Sequence, residues 1–134
     1  MKNLGWSSKF LERDWAEVRT FLSGILWTHG EGAYLLDIID SVLDHGADAV
    51  LAVTTSMHDL LVAPKPVGGP HAIDVVIVRA PGSLRPAERR GHVRIEHRSV
   101  NGHDTVVERP PGEAVNLFWR FVEAEFGLRR RDPR

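Results

Sequence analysis

Apolar residues recur at three- and four-residue steps near both ends of the chain and at two-residue steps through its middle. That pattern predicts helices flanking a sheet. The densest stretch is Pro110 to Gly127, where Val115, Phe118, Val122 and Phe126 form one helical stripe and Ala114, Leu117, Phe121 and Ala124 a second beside it. Asn116, Arg120, Glu123 and Glu125 leave only a narrow polar strip, so this helix is expected to be covered on most of its girth. Its ends are marked by Pro110 and Pro111, which suit a first turn, by Glu113 at the positive end of the dipole, and by Gly127 as a left-handed stop.

Two further helices are predicted upstream. Asp14 and Glu17 have capping-box spacing, and Trp15, Val18, Leu22 and Ile25 follow at helical steps with Phe21 and Leu26 alongside, which carries a helix to about Trp27. Thr28 to Glu31 repeats the capping pattern before Tyr34, Leu35, Ile38, Ile39, Val42 and Leu43, and His45-Gly46 ends that second helix. Asp37, Asp40, Ser41 and Asp44 fall on its other face and read as a solvated row.

From Gly46 the period changes. Ala49 to Val53 and Leu60 to Ala63 read as short strands joined by a turn over Thr54 to Asp59, and the Pro64 to Pro70 segment then excludes both helix and sheet interior. Ile73 to Arg79 is apolar on both faces and belongs inside the sheet, Ala80 to Arg90 is loop, and His92 to Arg98 alternates as a half-exposed strand. A three-residue loop, Val100 to Gly102, with Gly102 left-handed, sets Arg98 opposite Asp104, Arg94 opposite Glu108 and Ile95 opposite Val107. The class is α+β: two N-terminal helices, about five strands in an antiparallel meander, and a C-terminal helix packed on the sheet. Residues 1–134 form one domain, with 1–8 and 128–134 expected to be flexible. This order resembles the helix-grip arrangement, and the resemblance implies a curved sheet around a long helix with room for an apolar ligand.

Charge and composition narrow the function classes. The 134 residues carry a formal net charge of -1, which gives no overall pull toward nucleic acid or a membrane surface. Cysteine is absent, which removes disulfides, thiolate catalysis and sulfur-ligated metals and makes the cytoplasm the expected location. No apolar run approaches the ~20 residues that span a bilayer.

Candidate chemistry is sparse. Of the seven histidines, His92 and His97 are an odd number of positions apart on one strand and cannot share a metal, and no HExxH is present. Adjacent His58-Asp59 and His103-Asp104 read as turn residues whose carboxylates bond nearby backbone, and no nucleophile elbow or phosphate loop is found. Arg94 and Arg98 share a strand face, but each has a carboxylate opposite and no aromatic beside it, which argues against nucleic acid. The sequence therefore reads as a non-catalytic binding or protein-interaction domain that self-associates, without cofactor or metal. A small enzyme or apolar-ligand carrier with a pocket between the last helix and the sheet is the alternative. His71, His97, Phe118, Trp119 and Phe121 are the candidate binding residues, with the Pro64 to His71 loop as the rim of any site. Self-association follows from surplus, because one core is not expected to cover both stripes of the last helix.

Overall fold

A computed structural model describes residues 5–7, 9–25, 27 and 30–133. Helices α1 (Trp15–Ser23) and α2 (Ala33–Asp44) precede strands β1 (Leu51–Ser56), β2 (Asp59–Pro64), β3 (Val75–Val78), β4 (Val93–Arg98) and β5 (Thr105–Arg109), and α3 (Ala114–Phe126) completes the order. Each strand pairs antiparallel with its neighbour in sequence, giving the meander that the alternation predicts, with α3 packed on β3 and β4.

Local chemistry explains most of the boundaries. The Asp14 carboxylate accepts the Ala16 and Glu17 N–H groups at 2.8 and 3.3 Å and opens α1. That helix stops at Ser23 rather than near Trp27, with Gly24, a weak helix former, as its cap. Leu26, Thr28 and His29 lie outside the described residues, and with them part of the expected start of α2. Helix α2 begins behind Gly32, where a Cβ would fall 2.3 Å from the Trp27 ring. Gly127, at φ 68, ends α3 as expected.

The sheet departs from the expected boundaries at its first hairpin. Ala47–Ala49 form a single 3₁₀ turn, so β1 starts at Leu51, and it then runs on to Ser56 because Thr54 and Thr55 are β-branched. Ser56 lies opposite Asp59, which shortens the turn to Met57 and His58 instead of spanning Thr54 to Asp59. The later hairpin has the expected register, with Arg94 opposite Glu108 and Ile95 opposite Val107. Gly102 supplies the positive φ, 84°, and Ile95 is fully buried.

Two apolar clusters lie on opposite faces of the sheet. On one face α1, α2 and α3 close over Leu51, Val53, Leu60, Val62, Val76, Val78 and Ile95, and Phe118 fills the middle of that layer with no exposed surface. On the other, Phe10, Ala52, Leu61, Ala63, Val75 and Ile77 pack beneath the N-terminal segment, with Trp6, Val67 and Ile73 at their margin. Arg13 pairs with Val53 on the outer edge of β1 and Trp6 with Ile73 just ahead of β3, so the N-terminal segment is bridged to the sheet at two points.

The surplus expected on the last helix is absorbed within the chain. Trp119 is 2% exposed, its Nε1–H donating to Ser41 Oγ at 2.9 Å, and Phe121 is 5% exposed. The polar row on α2 is correspondingly not all solvated, since Ser41 takes that bond and Asp40 forms a two-point pair with Arg19. The basic tail also lies against the body: Leu128 packs at the core margin, the Arg130 guanidinium sits 5.7 Å from the Trp119 ring centre, and the Arg131 carbonyl meets His45 Nδ1.

Phe118→Ala is expected to cost about 3–5 kcal/mol in urea unfolding, the range for emptying a large aromatic site in a closed core. A cost under ~1 kcal/mol would mean that the helix layer does not depend on this side chain.

Candidate functional site

The chemistry that the sequence analysis missed lies on the sheet face away from the helices. Residues alternating with the β2, β3 and β4 core positions bring Asp59, Arg79, Arg94 and Glu96 to this face. Extending the β2–β3 and β3–β4 registers by one step sets Asp59 beside Arg79 and Arg79 beside Arg94, and Arg94 is opposite Glu108. A row of carboxylate, guanidinium, guanidinium and carboxylate thus crosses four strands.

Glu96 closes the network from the adjacent row. Its carboxylate receives Arg79 Nε and Nη2 at 2.7 and 3.1 Å, Arg94 Nε at 2.9 Å and Arg98 Nε at 3.4 Å. Arg79 Nη1 donates to Asp59 Oδ2 at 2.9 Å. The Glu96 side chain is 3% exposed and those of Asp59 and Arg79 about a tenth. The expectation of a half-exposed strand is therefore corrected at Glu96, which three arginines hold under cover. Arg98 also turns to Glu96 rather than to Asp104, whose carboxylate accepts the Ser99 N–H at 2.8 Å.

Both ends of the row hold the following loop. Asp59 accepts the Ala80 N–H at 2.7 Å and the Ser83 hydroxyl at 2.9 Å, so it organises Ala80 to Ser83 instead of bonding its own turn as the sequence reading had it. At the far end, Glu108 accepts the N–H groups of Glu88 and Arg89 at 2.8 and 3.0 Å. Those two N–H groups hold the Glu108 carboxyl below its usual value, with the charges of Arg94 and His92 adding to them. Burial pushes the Glu96 carboxyl up, but the hydrogen bonds and charges of Arg79 and Arg94 outweigh it and bring it down to about 2. Glu96 remains ionised and fully engaged at neutral pH, which suits a structural anchor and not a general acid or base.

Clefts open on both sides of the anchored loop. One, about 350 Å³, lies between the start of α2 and the loop and is lined by Glu31, Tyr34, Arg89, Arg90, His92 and Arg94 among others. Tyr34 donates its hydroxyl to the Arg79 carbonyl, and burial first, then the charges of Asp59 and Glu31, hold it protonated. The other, about 230 Å³, lies under Trp6, Met57 and Leu84 with Arg85 and Arg98 at its wall.

The sequence-derived candidates do not converge on one place. His71 is exposed in the loop after β2, at a cleft of about 290 Å³ beside Trp6 and Phe10. His97 is buried under the end of α3, with the Phe126 ring edge-on at 6.2 Å, Glu125 Oε2 3.1 Å from Nδ1 and Asp74 Oδ1 3.9 Å from Nε2. Phe118 and Trp119 belong to the closed helix layer. Phe121 lines a shallow groove of about 210 Å³ between α3 and β5, shared with Thr105, Val107, Arg109, Leu117 and Glu125. Among the described residues no group of three or more His, Asp or Glu is placed to hold a metal, and no helix is long and apolar enough to cross a membrane.

Compared with protein-family models, with curated proteins and with solved structures, the chain matches none.

Glu96→Gln is expected to destabilise the fold by about 3 kcal/mol at pH 7, because it leaves buried guanidinium charge without its anion. Glu96 has its lower pKa in the folded state, so its contribution is complete above the ordinary value of 4.5 and is lost as pH falls toward 2. Urea unfolding of both proteins at several pH values checks this: their stabilities should converge on acidification, and a gap that stays constant from pH 7 to 3 would contradict the assignment.

Proposed function

We propose that the chain is a non-catalytic interaction domain that associates with a second copy of itself through the β5 edge and the groove beside α3. The observation that carries this reading is the asymmetry of the two sheet edges. The outer edge of β1 takes a backbone bridge from the N-terminal segment, Arg13 to Val53, whereas β5 has no strand or bridge beyond it among the described residues, and its Val106 is 46% exposed. An uncovered edge presents unpaired backbone N–H and C=O groups and is a template for a further strand.

Charge supports a second copy as the occupant. The groove runs from Arg109 at one end to Thr105 and Glu125 at the other. A two-fold axis through Val107 would lay two β5 strands antiparallel and set Thr105 of one copy opposite Arg109 of the other. The acidic end of each groove then faces the basic end of its partner, while Phe121 and Leu117 lie along the seam. A closed arrangement of this kind also satisfies both free edges at once. Two α3 helices side by side would add to the strand pairing and allow the ~1,000 Å² or more that a stable interface needs.

Light scattering during size exclusion tests the reading at micromolar concentration. Twice the chain mass of 15.0 kDa is expected, with Glu125→Lys shifting the protein toward monomer and Arg109→Glu added to it restoring the dimer. A monomer at every concentration, or indifference to both charge changes, would rule out this interface.

A further inference from the structure

The cleft between the start of α2 and the loop after β3 shares no lining residue with the groove beside α3. Two features of its lining point to an anion. Arg89 and Arg90 border it with no carboxylate of the described residues on their guanidinium groups, unlike Arg79, Arg94 and Arg98 of the buried network. The wall that carries these groups is also held in shape, because the Glu108 carboxylate fixes the Glu88 and Arg89 N–H groups while Asp59 fixes Ala80 and Ser83.

Size and polarity define the ligand further. About 350 Å³ is at the lower end of small-molecule sites and too confined for a duplex. Two guanidinium forks suit the three acceptor oxygens of a phosphate monoester better than the two of a carboxylate. Glu31, on the wall formed by the start of α2, is acceptor-only at neutral pH and calls for hydroxyl donors on the same molecule. Between them Tyr34 and Val93 offer apolar surface, and Tyr34 is fixed there by its bond to the Arg79 carbonyl.

We propose that this cleft binds a small phosphorylated polyhydroxy compound of the sugar-phosphate class, with the phosphate on Arg89 and Arg90 and the hydroxyls on Glu31. Titration calorimetry with ribose 5-phosphate, inorganic phosphate, ribose and gluconate tests it on the wild-type chain, on Arg89→Ala with Arg90→Ala, on Glu31→Gln, and on Arg85→Ala as a control outside the cleft. Ribose 5-phosphate is expected to bind best and ribose not at all. The double arginine variant should lose about 10-fold or more in affinity, the worth of one or two charge-assisted hydrogen bonds, with its circular dichroism and melting unchanged. Glu31→Gln should weaken ribose 5-phosphate and leave inorganic phosphate as it was. The proposal is overturned if ribose 5-phosphate gives no heat, if gluconate or a short oligonucleotide binds as well, or if the double variant binds like the wild type. Equal affinity for inorganic phosphate and ribose 5-phosphate would overturn the assignment of Glu31 and with it the sugar.

Discussion

The structure depends on the burial of Arg79. A guanidinium in the middle of a sheet face is costly to remove from water, and it is tolerated here because Glu96 meets it at two points and Asp59 at a third. Once those anions are present they require further partners, and the chain supplies them from different elements: Arg94 and Arg98 for Glu96, and the Ala80 N–H and Ser83 hydroxyl for Asp59. Replacing such a network with apolar residues can leave a protein as stable or more so. What the charges add is directionality, since a carboxylate can hold the start of a loop in one position and an apolar side chain cannot.

That directionality connects the core to the surface. The loop from Ala80 to Gly91 contains two prolines and two glycines and has little apolar side chain to bury. Its ends are instead tied to carboxylates on β2 and β5, which fixes one wall of each neighbouring cleft. On the opposite face of the sheet the helix layer follows a different logic. Phe118, Leu22, Leu35, Ile38 and Ile39 fill it by size and shape, and Trp119 adds a single directional bond to Ser41. The helix face is thus held mainly by packing, while the other face combines a smaller apolar cluster with positioning by charge.

Hydrophobic period was enough to place three helices and five strands, and in the β4–β5 hairpin it fixes the register, because a slip of one residue would turn the buried Ile95 outward. The same alternation misled at Glu96. A strand face reading His92, Arg94, Glu96, Arg98 is normally solvated, and only the arrival of Arg79 and Asp59 from other strands turns it into an interior. A local cue did exist, since Glu96 stands between arginines two residues away on either side and Arg79 immediately follows an all-apolar strand. The candidate residues around α3 were chosen for size and aromaticity, and those properties drew Phe118 and Trp119 into the core. Only Phe121 also reaches a groove, because its neighbour across that groove is an edge strand.

Native-state hydrogen exchange at the Ala80 amide tests this account most directly. Its N–H is buried and, among the described residues, bonded to the Asp59 carboxylate and not to a strand partner, so its protection reports whether the charge row holds the loop. Protection close to that of the β3 amides is expected in the wild-type chain, collapsing in Asp59→Ala while β3 stays protected. Exchange of Ala80 at the rate of an exposed loop in the wild-type protein, or protection unchanged in Asp59→Ala, would contradict the claim that buried charge shapes the surface.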